Sequence, residues 1–149
     1  MEHLLKISEI TVQYKPTKAN RPKIISSSEA LSILRGFFSE DTIELQEQFI
    51  AMYLNRANRV IGVYKVSVGG ITGTVADPRL ILSVALKSAA TSIILAHNHP
   101  SGNLKPSTAD MELTTKIKMA AQLMDITVLD HLIVSSDDGF LSFADEGLL

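Results

Sequence analysis

The stretch SIILAHNHPSGNLKPSTAD, residues 92–110, decides the reading of this chain. Its first five residues, SIILA, form a short uncharged run, the pattern of a strand buried on both faces. That strand is expected to end at His97. Pro100 stops it, and a polar loop lets the chain return. Ser107-Thr108-Ala109-Asp110 then opens a helix expected to reach about Met124, because Ser107 and Asp110 fit the S-x-x-D capping pattern. Side chains two apart on a strand share a face. His97 and His99 therefore converge at the strand exit, Asn98 points away, and Asp110 can bring a carboxylate to the same point. Two imidazoles and one carboxylate make an open three-ligand set for zinc, with the fourth position left for water. Iron(II) oxygenases use the same donor types, so donor identity alone does not select the metal. Each residue also has a plain structural reading. Asp110 suits a helix cap favoured by the helix dipole, and an H-x-H pair can be an ordinary core or surface pair. Their conjunction, after a buried strand and before a Gly/Pro loop, points to a metal.

Working outward, residues 47–54 (EQFIAMYL) are apolar on both faces, as a central strand would be. Asn55-Arg56-Ala57-Asn58 reads as a turn, and residues 59–68 (RVIGVYKVSV) as the second arm of a hairpin. Gly69, Gly70 and Gly73 break it. Pro78 opens a helix running through Ala90. Upstream, residues 3–13 alternate loosely and suggest a first strand. Pro16 and Pro22 mark a non-helical linker. Ser26 to Glu29 reads as a helix start, followed by Leu31, Leu34, Phe37 and Phe38 at helical spacing. Downstream, residues 126–134 form a strand, and Asp137-Asp138-Gly139 turns into a short last strand over residues 140–143. Strands with intervening helices predict a mixed α/β sandwich around one sheet.

Composition narrows the function classes. The chain has 149 residues, enough for one domain and a short extension. It has no cysteine, which excludes a disulfide framework, a thiolate zinc cluster and a cysteine nucleophile. Any histidine site must draw on His3, His97, His99 and His131. A net charge of −2 provides no global field for a polyanion. Lys15, Lys18, Arg21 and Lys23 form a local basic stretch, read either as a solvated linker or as a contact for phosphate or an acidic partner. No apolar run approaches the roughly 18–20 residues of a membrane span, and the N-terminus is a poor signal peptide. The expectation is a cytoplasmic protein without membrane contact.

His97-x-His99, seven residues, Ser107, two residues, Asp110 resembles the JAMM metalloprotease motif of JAB/MPN domains. HNHPSG at residues 97–102, with the downstream S-x-x-D, is similar to the RadC family within that group. Gly73-Thr74, Pro78-Arg79, Thr114 and DHLIV at residues 130–134 extend the resemblance over about residues 47–143. It implies a cytidine-deaminase-like mixed sheet flanked by helices, with residues 1–40 as an N-terminal extension and 41–149 as the JAB/MPN domain. It also implies Zn2+ held by His97, His99 and Asp110. An upstream glutamate that contacts the metal water matches Glu47, with Glu44 in reserve, and Ser107 takes the role of oxyanion donor. Glu47 also reads as a plain solvated charge at a strand start. The activity implied is hydrolysis of a peptide or isopeptide amide, with Glu47 accepting the water proton and passing it to the leaving amine.

His131 reads either as a hydrogen-bond donor to the metal ligands or as a structural histidine, and His3 as incidental. Two other functions compete. RadC-like proteins carry a DNA-repair label, which implies a DNA or DNA-repair partner. Longer members have an N-terminal helix–hairpin–helix region with no clear counterpart in residues 1–46 here. His97-Asn98-His99 is not an HNH nuclease motif, whose ligands are spread over a longer ββα unit. Some JAB/MPN domains are scaffolds without metal, but this motif is complete. An exposed strand edge in the hairpin or the N-terminal segment also suits pairing into a homodimer.

Overall fold

A computed structural model describes residues 7–17, 20–70, 73 and 75–149. In chain order the elements are α1 (Ser27–Leu34), β1 (Gln48–Leu54), β2 (Val60–Val68), α2 (Pro78–Lys87), β3 (Ser92–Asn98), α3 (Thr108–Leu123), β4 (Thr127–Val134) and β5 (Phe140–Ser142). One sheet holds the strands in the order β2-β1-β3-β4-β5. β1 pairs antiparallel with β2 and β3, and β4 pairs antiparallel with β5. β3 and β4 run parallel, which requires a crossover, and α3 supplies it.

Alternation along the central strands sorts the core into two faces. Every residue of β1 and β3 is buried. Phe49, Ala51, Tyr53, Ile93 and Leu95 pack on Ile81 and Ala85 of α2 and on Ile117 and Ala121 of α3. Ile50, Met52, Leu54, Ile94 and Ala96 pack on Ala30 and Leu34 of α1 and on Phe38. Helices therefore cover both faces of a mixed sheet, as the sequence pattern predicts.

Local chemistry sets the boundaries. Asn55 closes the β1–β2 turn: its Oδ1 accepts from the backbone N–H groups of Ala57 and Arg59, both at 3.0 Å. Ser26 caps α1, and Glu29 reaches back to the Ile25 N–H. Asp77 caps α2 with Pro78 in the first turn. α2 stops at Lys87, short of Ala90. Ala89 takes φ +55°, and the Ala90 N–H turns back to the Ala85 carbonyl at 2.9 Å. α3 ends the same way, with Asp125 at φ +55° and Ile126 bonded to Ala121 at 2.9 Å. Both are Schellman closures with a non-glycine residue in the left-handed position.

Two strand expectations change. β3 runs one residue beyond its expected end at His97, because β4 pairs with it through Asn98. The expected N-terminal strand is absent among its described residues, 7–13. Ile7, Ile10 and Val12 are 85%, 89% and 76% exposed, so the loose alternation there finds no face to bury. His3, Leu5 and Lys18 lie outside the described residues. Farther on, the basic linker is stitched to the hairpin turn: Arg59 Nη1 donates to the Arg21 carbonyl at 2.9 Å, and the Val60 N–H to the Pro22 carbonyl at 2.9 Å. Among the described residues no helix is long and apolar enough to cross a membrane.

The two faces can be tested separately. Leu34→Ala opens a cavity on the α1 face and should cost about 2–5 kcal/mol in urea unfolding. Zinc affinity should stay unchanged, because the histidines and Asp110 sit on the other face. A parallel loss of both would contradict this division.

Candidate metal centre

The C-terminal end of β3 delivers three consecutive side chains to two destinations. His97 continues the series Ile93, Leu95 and faces α3. Asn98 continues the series Ile94, Ala96 and faces the opposite way. His99 follows the strand, its N–H bonded to the Val134 carbonyl at 2.9 Å, so its ring returns to the His97 side. A turn then closes from the His99 carbonyl to the Gly102 N–H at 2.9 Å, with Pro100 at its second position and Gly102 at φ +81°. The loop brings the Asn103 carbonyl to 2.5 Å from His99 Nδ1. A carbonyl only accepts, so His99 carries its proton at Nδ1 and presents the Nε2 lone pair.

Asp110 arrives from the first turn of α3. Ser107 Oγ accepts from the Asp110 N–H at 3.0 Å, and the Ser107 N–H donates to Asp110 Oδ2 at 2.8 Å, which completes a capping box. The cap and ligand readings of Asp110 are thus compatible, because capping turns the carboxylate toward the histidines. His97 Nε2 lies 3.0 Å from His99 Nε2 and 3.3 Å from Asp110 Oδ1; His99 Nε2 lies 3.2 Å from Asp110 Oδ2. A tetrahedral site with metal bonds of about 2.0–2.1 Å has edges of about 3.3 Å. The two edges at His97 Nε2 are close to that spacing, and one donor atom from each of the three residues lies within 4.8 Å of the others, so together they could hold a metal ion. Acceptors this close repel one another unless a metal cation or a proton sits among them. The His99 pKa is raised, chiefly by its hydrogen bond to Asp110. Burial alone would raise the Asp110 carboxyl, but the neighbouring imidazoles of His97 and His99 hold it well below the usual carboxylate range.

Glu47 precedes β1 in the same alternation as Phe49, and so on the His97 face. It is half-buried, and burial raises its pKa; His97 and His99 oppose that rise and Asp110 adds to it. Gly73 passes beside it, where an added Cβ would stand 3.9 Å from Glu47 Oε2. Glu44 lies elsewhere: it is exposed and lines a depression with Arg35, Phe38 and Ser136.

Asn98 and Phe49 are the support residues that the sequence reading did not single out. Asn98 Nδ2 donates to the Ile43 carbonyl at 2.7 Å and the Gln46 carbonyl at 2.9 Å, and its Oδ1 accepts from the Gln48 N–H at 2.6 Å. It clamps the loop that ends in Glu47. The residue between the two histidines thus holds the glutamate-bearing segment from the far face. Phe49 stacks on His97 with centroids 5.8 Å apart and rings 5° from parallel. The one signal for Asn98 was a buried amide at a position that had to face away from its neighbours. His131 is fully buried beneath His97, with its Nε2 2.7 Å from His97 Nδ1. Burial holds its pKa well below that of a free histidine.

A mixed sheet flanked by helices, with an open donor set of two imidazoles and a carboxylate at the exit of its central strand, defines a JAB-type α/β domain. The RadC-like JAB domain profile matches residues 24–148, and the chain belongs to that family. It is 44% identical over 126 residues to a UPF0758 protein of Flavobacterium johnsoniae, covering 85% of this chain and 53% of that protein. A UPF0758 protein of Porphyromonas gingivalis is 45% identical over 104 residues, covering 70% and 46%. One from Streptococcus gordonii is 46% identical over 101 residues, covering 68% and 44%. The chain spans about half the length of these relatives.

Asn98→Asp tests the clamp. It keeps the acceptor for Gln48 but sets a carboxylate against two carbonyls. Stability should fall by about 1–3 kcal/mol or more, and hydrogen exchange should accelerate over residues 39–48 before the rest of the sheet.

Proposed function

We propose that this chain is a zinc-dependent amide hydrolase acting on a peptide or isopeptide bond. The observation that carries the reading is the cluster of His97, His99 and Asp110, whose donor atoms, one from each residue, lie within 4.8 Å of one another. Zinc, when bound, supplies a Lewis acid and acidifies water from a pKa of about 15.7 to about 7. His97 and His99 contribute Nε2 lone pairs and Asp110 contributes Oδ1, its Oδ2 being committed to the Ser107 N–H. Three protein donors leave the fourth position open to reactants, the pattern of a catalytic rather than a structural site. The absence of cysteine agrees with that, since structural zinc sites rely on thiolates.

Glu47 acts as the general base. Its raised pKa brings it closer to neutral pH, where a carboxylate can take a proton and return it to a leaving amine. Ser107 is exposed, and among the described residues nothing accepts its hydroxyl proton. That hydroxyl is available to a developing oxyanion while its lone pair caps α3. Losing one such donor typically costs roughly 100- to 1,000-fold in rate.

Metal analysis of the purified full chain tests the first step. The wild-type protein should hold about one equivalent of zinc, and His97→Ala and Asp110→Ala only traces. Equal traces in all three would overturn the reading. Glu47→Gln should keep the metal and lose about 10²–10⁴-fold in cleavage of a peptide library. Zinc must displace the proton favoured on His99, so apparent affinity should fall about tenfold per pH unit for each proton displaced below the raised His99 pKa. A flat affinity profile between pH 5 and 7 (roughly the range in which histidine titrates) would contradict that competition.

A further inference from the structure

His131 belongs to a continuous line of hydrogen bonds that begins and ends on Asp110. Thr114 Oγ1 lies 2.6 Å from the backbone carbonyl of Asp110, one turn earlier in α3. The same Oγ1 lies 2.6 Å from His131 Nδ1, and His131 Nε2 lies 2.7 Å from His97 Nδ1. His97 Nε2 then faces the Asp110 carboxylate.

The directions of these bonds follow from what each atom can do. A carbonyl oxygen has no proton, so a 2.6 Å contact to a hydroxyl oxygen requires the Thr114 proton to lie in it. Thr114 has no other proton to give. Its contact with His131 Nδ1 therefore needs the proton on the imidazole, which leaves the His131 Nε2 lone pair facing His97. His97 must then carry its proton at Nδ1, and its Nε2 lone pair points into the donor set. Reversing the line would put a proton on His97 Nε2, where a metal cannot bind. The ring that passes this direction on cannot rotate freely. Phe143 stacks on His131 at 4.7 Å, and Phe49 meets its edge at 5.4 Å.

We propose that Thr114 and His131 are positioning residues that fix the tautomer of His97, and so decide whether the site can take a metal. One helical residue, Asp110, then serves at both ends: its carbonyl orients the proton line, and its carboxylate joins the donor set. The proposal rests on the metal reading of the site, but its first test needs no metal.

Long-range 1H–15N spectra of the metal-free full chain report the imidazole tautomers directly. The expected result is His131 and His97 both protonated at Nδ1 and bare at Nε2. His131 protonated at Nε2 in the wild-type protein would overturn the proposal, with no variant needed. In Thr114→Val the acceptor for His131 Nδ1 is gone, and the Asp110 carboxylate should draw the His97 proton to Nε2. Zinc affinity, read by competition with a chromophoric chelator, should fall about 10- to 100-fold. Thr114→Ser keeps the hydroxyl and should restore both the tautomer and the affinity. An unchanged His97 tautomer and an affinity within about threefold in Thr114→Val would also overturn the proposal. Failure of the wild-type chain to bind zinc would sink the hydrolase reading, while the metal-free tautomers would still judge the proton line.

Discussion

Strand alternation at the exit of β3 is the constraint on which both the site and its support depend. Because successive side chains point to opposite faces, one tripeptide does three jobs. His97 and His99 turn toward α3, and Asn98 turns toward the loop on the other side. Pairing on both sides holds the alternation in place: β1 sets Phe49 opposite His97, and β4 sets Ile133 opposite it. A slip of one residue would exchange the faces, burying Asn98 among the aromatic rings and sending the histidines toward α1. The depth of β3, buried at every residue, makes such a slip costly.

The second requirement is that α3 begin where it does. Its first turn carries the only carboxylate in the donor set, and the capping box commits one oxygen of that carboxylate to the Ser107 N–H. A negative charge at a helix N-terminus is favoured by the helix dipole, which offsets part of the burial that opposes ionisation of Asp110. Helix initiation and ligand orientation are one interaction. The same helix offers Thr114 one turn later and apolar residues for the core beyond it. A single element therefore anchors the site, orients it and packs it against the sheet.

Much of this was legible in the sequence. The β1–β2 hairpin, the helices opened by Ser26, Pro78 and Ser107, and the buried strand before His97 all followed from periodicity and capping chemistry. The spacing of His97, His99 and Asp110 gave the donor set. Where the reading failed, local pattern lacked a partner. Residues 7–13 alternate, but alternation stabilises a strand only when another strand takes its backbone and a core takes one face. β3 outran its apolar run because pairing with β4, rather than side-chain character, sets its end. The helical pattern continued to Ala90, yet left-handed Ala89 ended α2 first, a backbone choice that an alanine does not announce.

The sequence by itself determined which chemistry is available here: nitrogen and oxygen donors without thiolates, two imidazoles on one face of a strand, and a carboxylate one loop away. Those follow from composition and short-range geometry, which act within a few residues. Only the tertiary structure decided between Glu47 and Glu44 as the carboxylate on the His97 face, because that depends on how β1 is registered against β3. Only it made Asn98 a clamp and joined Thr114, His131 and His97 in one line. Those contacts unite residues from different strands and helices, and no local periodicity encodes the packing that brings them within hydrogen-bond reach.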